Sequence, residues 1–199
     1  MSEQSQGQDR RAEIADAGIR IIASRGVRAL THRAIDTEVG LSAGSTSYYA
    51  RTRRDLIVLI VGRLATRTTA DMSAVQWPDF LTVSTAATLV ARAIGATLQR
   101  EEEHVARIAL HIEYRHDDEI RALLAGDPPV QPHLVAAAER CLQLLGVDDA
   151  AEAAADFVGL VDGLLMRRII RGGGVDVSDD AGAERIVRNY LAGLVAGER

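Results

Sequence analysis

His104, His111, Glu113 and His116 stand within thirteen residues of one another, and all are side-chain types that bind zinc. Helical geometry separates them. Glu113 lies nine positions after His104, which turns it to the opposite side of a helix, and His111 and His116 are five apart and poorly aligned. Zinc asks for three or four converging ligands, so neither a metal nor any other cofactor is expected. His104, Ile108, His111 and Arg115, at spacings of four, three and four, do share one helical face. Turned inward, that face would present imidazole and guanidinium to a polar or anionic small molecule, with Trp77 and Tyr114 as further lining; a core role for those two aromatics fits equally well.

Covalent chemistry finds less support. An enzyme needs a nucleophile converging with a base, and Cys141 has no helix-spaced histidine; its setting, "ERCLQLL", reads as a half-buried helix position. The glycine run "RGGGVD" lacks the Lys and Ser/Thr of a nucleotide-cradling loop. The expectation is a protein that is not an enzyme.

The stretch "GLSAGSTSYYARTRRDL", residues 40 to 56, suggests binding instead. Gly and Ser are poor helix formers, yet the runs on both sides are strongly helical. Small residues let a backbone approach another macromolecule closely, while hydroxyls and phenols offer hydrogen bonds. A helix that enters the major groove of a duplex needs those properties. Around it, Thr31 reads as the cap of a short helix and Arg33 as part of its first turn, near a helix N-terminus that favours anions. Arg53 has the same placement at the start of the next long helix. On spacing alone, a small helical hairpin with capped ends and no partner also fits.

These residues need scaffolding, and the rest of the sequence supplies helices. Ile14, Ala17, Ile21 and Ile22 share one side of a first helix that Gly26 would stop. Ala34 and Ile35 mark a second, Gly40 a turn, and Ser42 a cap for a third. Thr52 and Asp55 have capping-box spacing ahead of a fourth helix reaching about residue 70. "SAVQWPDF" bends the chain into a stripe of Phe80, Val83, Ala87, Val90, Ile94 and Leu98. Further stripes follow, broken at "RHDDE" and "AGDPPVQP". The chain reads as all-α, with about nine helices and no strand.

Composition narrows the class. Of 199 residues 47% are apolar and 26% charged, and the net charge is −5, values of a globular protein. Residues 1–60 hold nine Arg against seven acids, whereas residues 61–199 hold fourteen against twenty-one. A mildly basic head on an acidic body allows phosphate contact by the head alone. Lys is absent, so every basic side chain is a guanidinium fork. One cysteine, no export-type leader in "MSEQSQGQDR" and no membrane-length apolar run together suggest the reducing cytoplasm and no membrane partner.

Residues 10 to 61, "RRAEIADAGIRIIASRGVRALTHRAIDTEVGLSAGSTSYYARTRRDLIVLIV", resemble the N-terminal DNA-binding domain of the tetracycline-repressor (TetR) family. The resemblance lies in the order of four helices, in the junction "IASRGVRALTHRAI" and in "VGLSAGSTSYYARTRRDL". It implies a three-helix helix-turn-helix domain over residues 9–55 and a helical effector-binding and dimerisation domain over 56–199. Ser42, Ala43, Ser45, Thr46 and Tyr48 would then face base edges, while Thr31, Arg33, Tyr49, Arg51 and Arg53 would meet phosphates. Two departures stand out. Ala50 replaces an aromatic common at that corner, which loosens it or leaves Arg51 to add a contact, and Ser47 stands where many members carry Tyr.

The implied function is a transcription regulator, most often a repressor, that binds palindromic operator DNA as a homodimer and is released by a small molecule. Phe157, Val161 and Leu164, with Val187, Leu191 and Leu194, form apolar stripes on the last two helices and are the expected dimer contacts. The pattern by itself fits burial within one chain equally well. A helical enzyme or metal-dependent hydrolase, and a helical adaptor without DNA binding, are the alternatives.

Overall fold

The computed structural model describes residues 3–73, 78–126, 130–170 and 177–197, and every regular element among them is helical. Ten α-helices follow in order: α1 (Glu3–Arg25), α2 (His32–Val39), α3 (Ser45–Tyr49), α4 (Arg53–Ser73), α5 (Val83–Leu98), α6 (Glu101–Glu113), α7 (Asp118–Gly126), α8 (Val130–Leu144), α9 (Ala150–Ile170) and α10 (Val177–Ala196). A single 3₁₀ turn, Val27–Ala29, separates α1 from α2.

The chain forms two compact units, each built from non-contiguous segments. The first comprises residues 1–71 and 102–130, the second residues 72–101 and 131–199. In the first, Ile14, Ala17, Ile21 and Ile22 of α1 are buried with Ile35 of α2, Leu56, Ile60 and Leu64 of α4, Leu110 of α6 and Ile120 of α7. Gly18 allows α1 and α4 to come close: a Cβ there would lie 2.8 Å from Ile60 Cγ1 and nearer still to its Cδ1. Charges join the same elements. Asp16 of α1 accepts from Arg63 at 2.9 and 3.0 Å and from Arg67 at 2.9 Å, and Arg67 also pairs with Glu103 of α6 at 2.5 Å.

The second unit has a core of small and aliphatic side chains. Ala86 and Ala87 of α5, Cys141 and Leu142 of α8, Ala154, Phe157 and Val158 of α9, and Val187 and Leu191 of α10 are buried together. A smaller cluster of Ile94, Leu165 and Ala183 continues it along α5, α9 and α10.

Local signals behave largely as the sequence suggests. The Thr31 side chain accepts from Ala34 N–H at 3.1 Å, and Gly40 ends α2 in the left-handed region at φ 71°. Thr52 and Asp55 cap reciprocally: Asp55 accepts from Thr52 N–H at 2.8 Å, and Thr52 Oγ1 accepts from Asp55 N–H at 3.0 Å.

"RHDDE" is a break, as expected: Asp117 Oδ1 accepts from Ile120 N–H at 3.0 Å and starts α7, one of ten α-helices among the described residues where about nine were expected. Two expectations need revision. Phe80 is not part of the α5 stripe, because a Thr82–Thr85 capping box begins that helix at Val83 and leaves Phe80 78% exposed. The third helix begins at Ser45, with Gly44 rather than Ser42 in the cap position.

Candidate nucleic-acid interface

α3 has only five residues, too few to persist alone. Two side chains of α2, one turn apart, hold its ends. Asp36, only 3% exposed, accepts at Oδ1 from the Thr46 N–H (2.9 Å) and hydroxyl (2.6 Å), and at Oδ2 from the Gly44 N–H (2.7 Å). Those N–H groups belong to the start of α3, where helical donors have no internal partner. At the other end His32 Nε2 donates to the Ala50 carbonyl at 2.7 Å. A carboxylate therefore meets the positive end of the short helix and an imidazole N–H its negative end.

Burial works against the charge on Asp36. The Thr46 hydroxyl and N–H, the Gly44 N–H and nearby His32 outweigh it and hold the carboxyl below its ordinary value. Gly44, at φ 90°, and Gly40 let the chain turn tightly between the two helices. Sequence reasoning did not find Asp36 and His32. Their only signal was two polar residues four apart beside Ile35, on the side of α2 expected to face the core.

The structure sorts the expected contact residues. Ser42, Ala43 and Tyr48 are exposed, Tyr48 by 84%, and Ser45 is half-buried. Ser47 is exposed as well. Thr46 is a correction: it is fully buried with its hydroxyl given to Asp36, so it is a strut and not a reading group. Tyr49 is half-buried and set edge-on to Tyr48, with ring centroids 5.2 Å apart. Arg53 is a second correction. Although the residue is exposed, its guanidinium is engaged by the chain itself, donating to the carbonyls of Val27, at 2.6 Å, and Leu30 and tying α4 to the 3₁₀ turn. Thr31, Arg33 and Arg51 are exposed, and so is Arg28 at the end of that turn. The corner at Ala50 is closed rather than loose: Ala50 is buried and its carbonyl is held by His32.

This fold and this braced helix can be set beside known proteins. A sequence model described as "Tetracyclin repressor-like, C-terminal domain" matches residues 81–197, more than half of the chain. The chain belongs to the tetracycline-repressor family. The HTH-type transcriptional regulator BetI of Brucella melitensis biotype 2 is 27% identical over 190 residues, covering 95% of this chain and 93% of that protein. A TetR-family transcriptional regulator from Rhodococcus sp. has the same fold at TM-score 0.68 and 20% identity, over 94% of this chain and 99% of that one. So has a transcriptional regulator from Saccharomonospora viridis solved in complex with choline, at TM-score 0.68 and 18% identity, over 93% and 96%.

Within this TetR-family chain, the effector residues expected from sequence do not form one inward face. His104, Ile108 and Tyr114 are half-buried, whereas His111 and Arg115 are exposed, Arg115 donating to the Ile112 carbonyl at 2.8 Å. Trp77 lies outside the described residues. Burial, with the nearby charge of Arg107, pushes His104 down to about 4, so its ring is neutral at pH 7. Arg107 itself donates to Thr68 Oγ1 at 2.8 Å. Among the described residues no three His, Cys, Asp or Glu are grouped to hold a metal ion, and no helix is long and apolar enough to cross a membrane.

The expected dimer contacts divide. Phe157, Val187 and Leu191 are buried within the chain's own second unit, with Phe157 stacked on Tyr190 at 5.7 Å, so they face its core. Val161, Leu164 and Leu194 pack against the same clusters but are only half-buried. The exposed sides of α9 and α10 carry Ala155, Asp156, Gly159, Asp162 and Gly163, and Arg185, Arg188, Asn189, Ala192 and Gly193.

Proposed function

We propose that this regulator represses transcription by binding a palindromic operator as a homodimer, and that a small polar effector releases it. The observation that carries the reading is α3. It is held at both ends by backbone-directed bonds from α2, and its outer surface is left clear for a duplex. Two such helices about 34 Å apart would meet successive major-groove faces. Thr31, Arg33 and Arg51, with Arg28, supply phosphate contacts around it, while Ser42, Ala43, Ser45 and Tyr48 face the bases.

Release requires an effector that binds DNA-competent and incompetent shapes with different affinity. α4 is suited to transmit that difference inside the first unit. Arg54, near its start, reaches Asp117 at 3.0 and 3.2 Å and Glu119 at 2.5 Å, beside α7. Choline, seen in the S. viridis structure, is the first compound to assay. The dimer forms through the exposed sides of α9 and α10, where Gly159, Gly163, Ala192 and Gly193 let helices approach closely. The protein acts in the cytoplasm as a regulator and not as an enzyme, and burial, which pushes the Cys141 thiol up to about 11, makes that group a poor nucleophile at neutral pH.

Selection of bound duplexes from a random pool, with sedimentation of the protein, tests the proposal. A twofold-symmetric motif and a dimer are expected. A monomer that retains no duplex at low salt would overturn it.

A further inference from the structure

The operator-binding reading leaves open what chemistry α3 recognises, and the exposed side chains restrict the answer. Strong major-groove discrimination comes from Arg or Lys on guanine, Asn or Gln on adenine, and Asp or Glu on cytosine. None of these residues occurs between Leu41 and Ala50. The carboxylate beside the helix, Asp36, has both oxygens engaged by Thr46 and Gly44. The exposed guanidinium groups of Arg28, Arg33 and Arg51 lie outside α3, on the 3₁₀ turn, in the first turn of α2 and after Ala50. The hydroxyls of exposed Ser42 and Ser47 and of half-buried Ser45 each donate and accept, so they fit any base pair and choose weakly. The Tyr48 hydroxyl is equally indiscriminate, and what remains is apolar: the Ala43 methyl and the ring of Tyr48, the one large side chain on this surface and 84% exposed. The major groove presents one apolar handle, the C5-methyl of thymine.

We infer that the recognition helix and the turn before it select the operator by packing Tyr48 and Ala43 against thymine methyl groups, and not through the hydrogen-bonding edges of purines. This rests on the operator-binding reading. Half-sites recovered from a random pool will carry fixed thymines under α3, with any guanine beside them interchangeable with other bases.

The decisive probe is the recovered duplex resynthesised with deoxyuridine for thymine, which deletes the methyl and leaves pairing and O4 unchanged. Burial of a methyl contributes enough that its loss weakens binding about fourfold, or about fifteenfold when one position is changed in both half-sites. Replacing guanine by 7-deazaguanine in the same half-sites removes N7 and is expected to change nothing. Tyr48→Phe keeps the sensitivity to deoxyuridine, whereas Tyr48→Ala removes it at the position beneath the ring, and circular dichroism checks that both variants fold. Equal affinity for thymine and deoxyuridine duplexes overturns the inference while leaving operator binding intact, and so does a loss on 7-deazaguanine. Failure to bind any duplex overturns both.

Discussion

Asp36→Asn tests how the reading helix is held. The carboxylate accepts three hydrogen bonds at 2.6, 2.7 and 2.9 Å from a site only 3% exposed. An amide has one oxygen in place of two. If that oxygen keeps both bonds to Thr46, the NH₂ group faces the Gly44 N–H, donor against donor. One charge-assisted bond is then lost, worth about 1.5–3 kcal/mol, and a buried donor is stranded at a further cost of about 1–3 kcal/mol. The expected total is about 2.5–6 kcal/mol, measured by urea unfolding followed by circular dichroism. Thr46→Val, which removes the hydroxyl but keeps the N–H, is expected to lose about 1–2 kcal/mol. The pH dependence has a definite sign. Because the folded carboxyl sits below its ordinary value of 3.8, its stabilisation is complete above that value and is lost as pH falls through the lower folded one. The gap between the parent and Asp36→Asn therefore closes below about pH 4. An Asp36→Asn variant within about 0.5 kcal/mol of the parent at pH 7, an ordinary surface-substitution effect, would refute this account of the brace.

Three further outcomes are expected. Arg51→Ala and Arg33→Ala lower the salt dependence of duplex binding by about one unit of log–log slope each and leave the melting temperature unchanged, whereas Arg53→Ala lowers the melting temperature because the Val27 and Leu30 carbonyls lose their donor. Gly18→Ala destabilises by about 1–2 kcal/mol in denaturant unfolding, since overpacking against Ile60 exceeds the gain in helix propensity. Gly163→Trp gives a folded monomer in sedimentation, because no atom lies within 4 Å of the added Cβ in the chain itself while the dimer surface is obstructed.

Features set by near neighbours in the chain were legible in the sequence. Thr31 capping Ala34, the Thr52–Asp55 pair and the turn at Gly40 each involve residues a few positions apart, where type and spacing determine geometry. Side-chain direction across longer separations was not legible. Thr46 looks like any hydroxyl on a polar helix until Asp36, ten positions earlier, draws it inward. Arg53 looks free until the carbonyls of Val27 and Leu30 fall within reach of its fork. Periodicity located the apolar stripes around Phe157 and Val187 correctly but carries no information about which surface covers them. The break before α7 was legible, but its cap, Asp117, was not, because it sits in a run of charges of which any one could serve.

The grip on α3 acts mainly through its main chain: the N–H groups of Gly44 and Thr46 and the carbonyl of Ala50. Almost any amino acid supplies such groups, so positions 42, 43, 47 and 48 can drift without disturbing the joint that carries them. Duplicated copies of such a gene could diverge toward different promoters by changing a handful of codons, with folding largely indifferent to the choice.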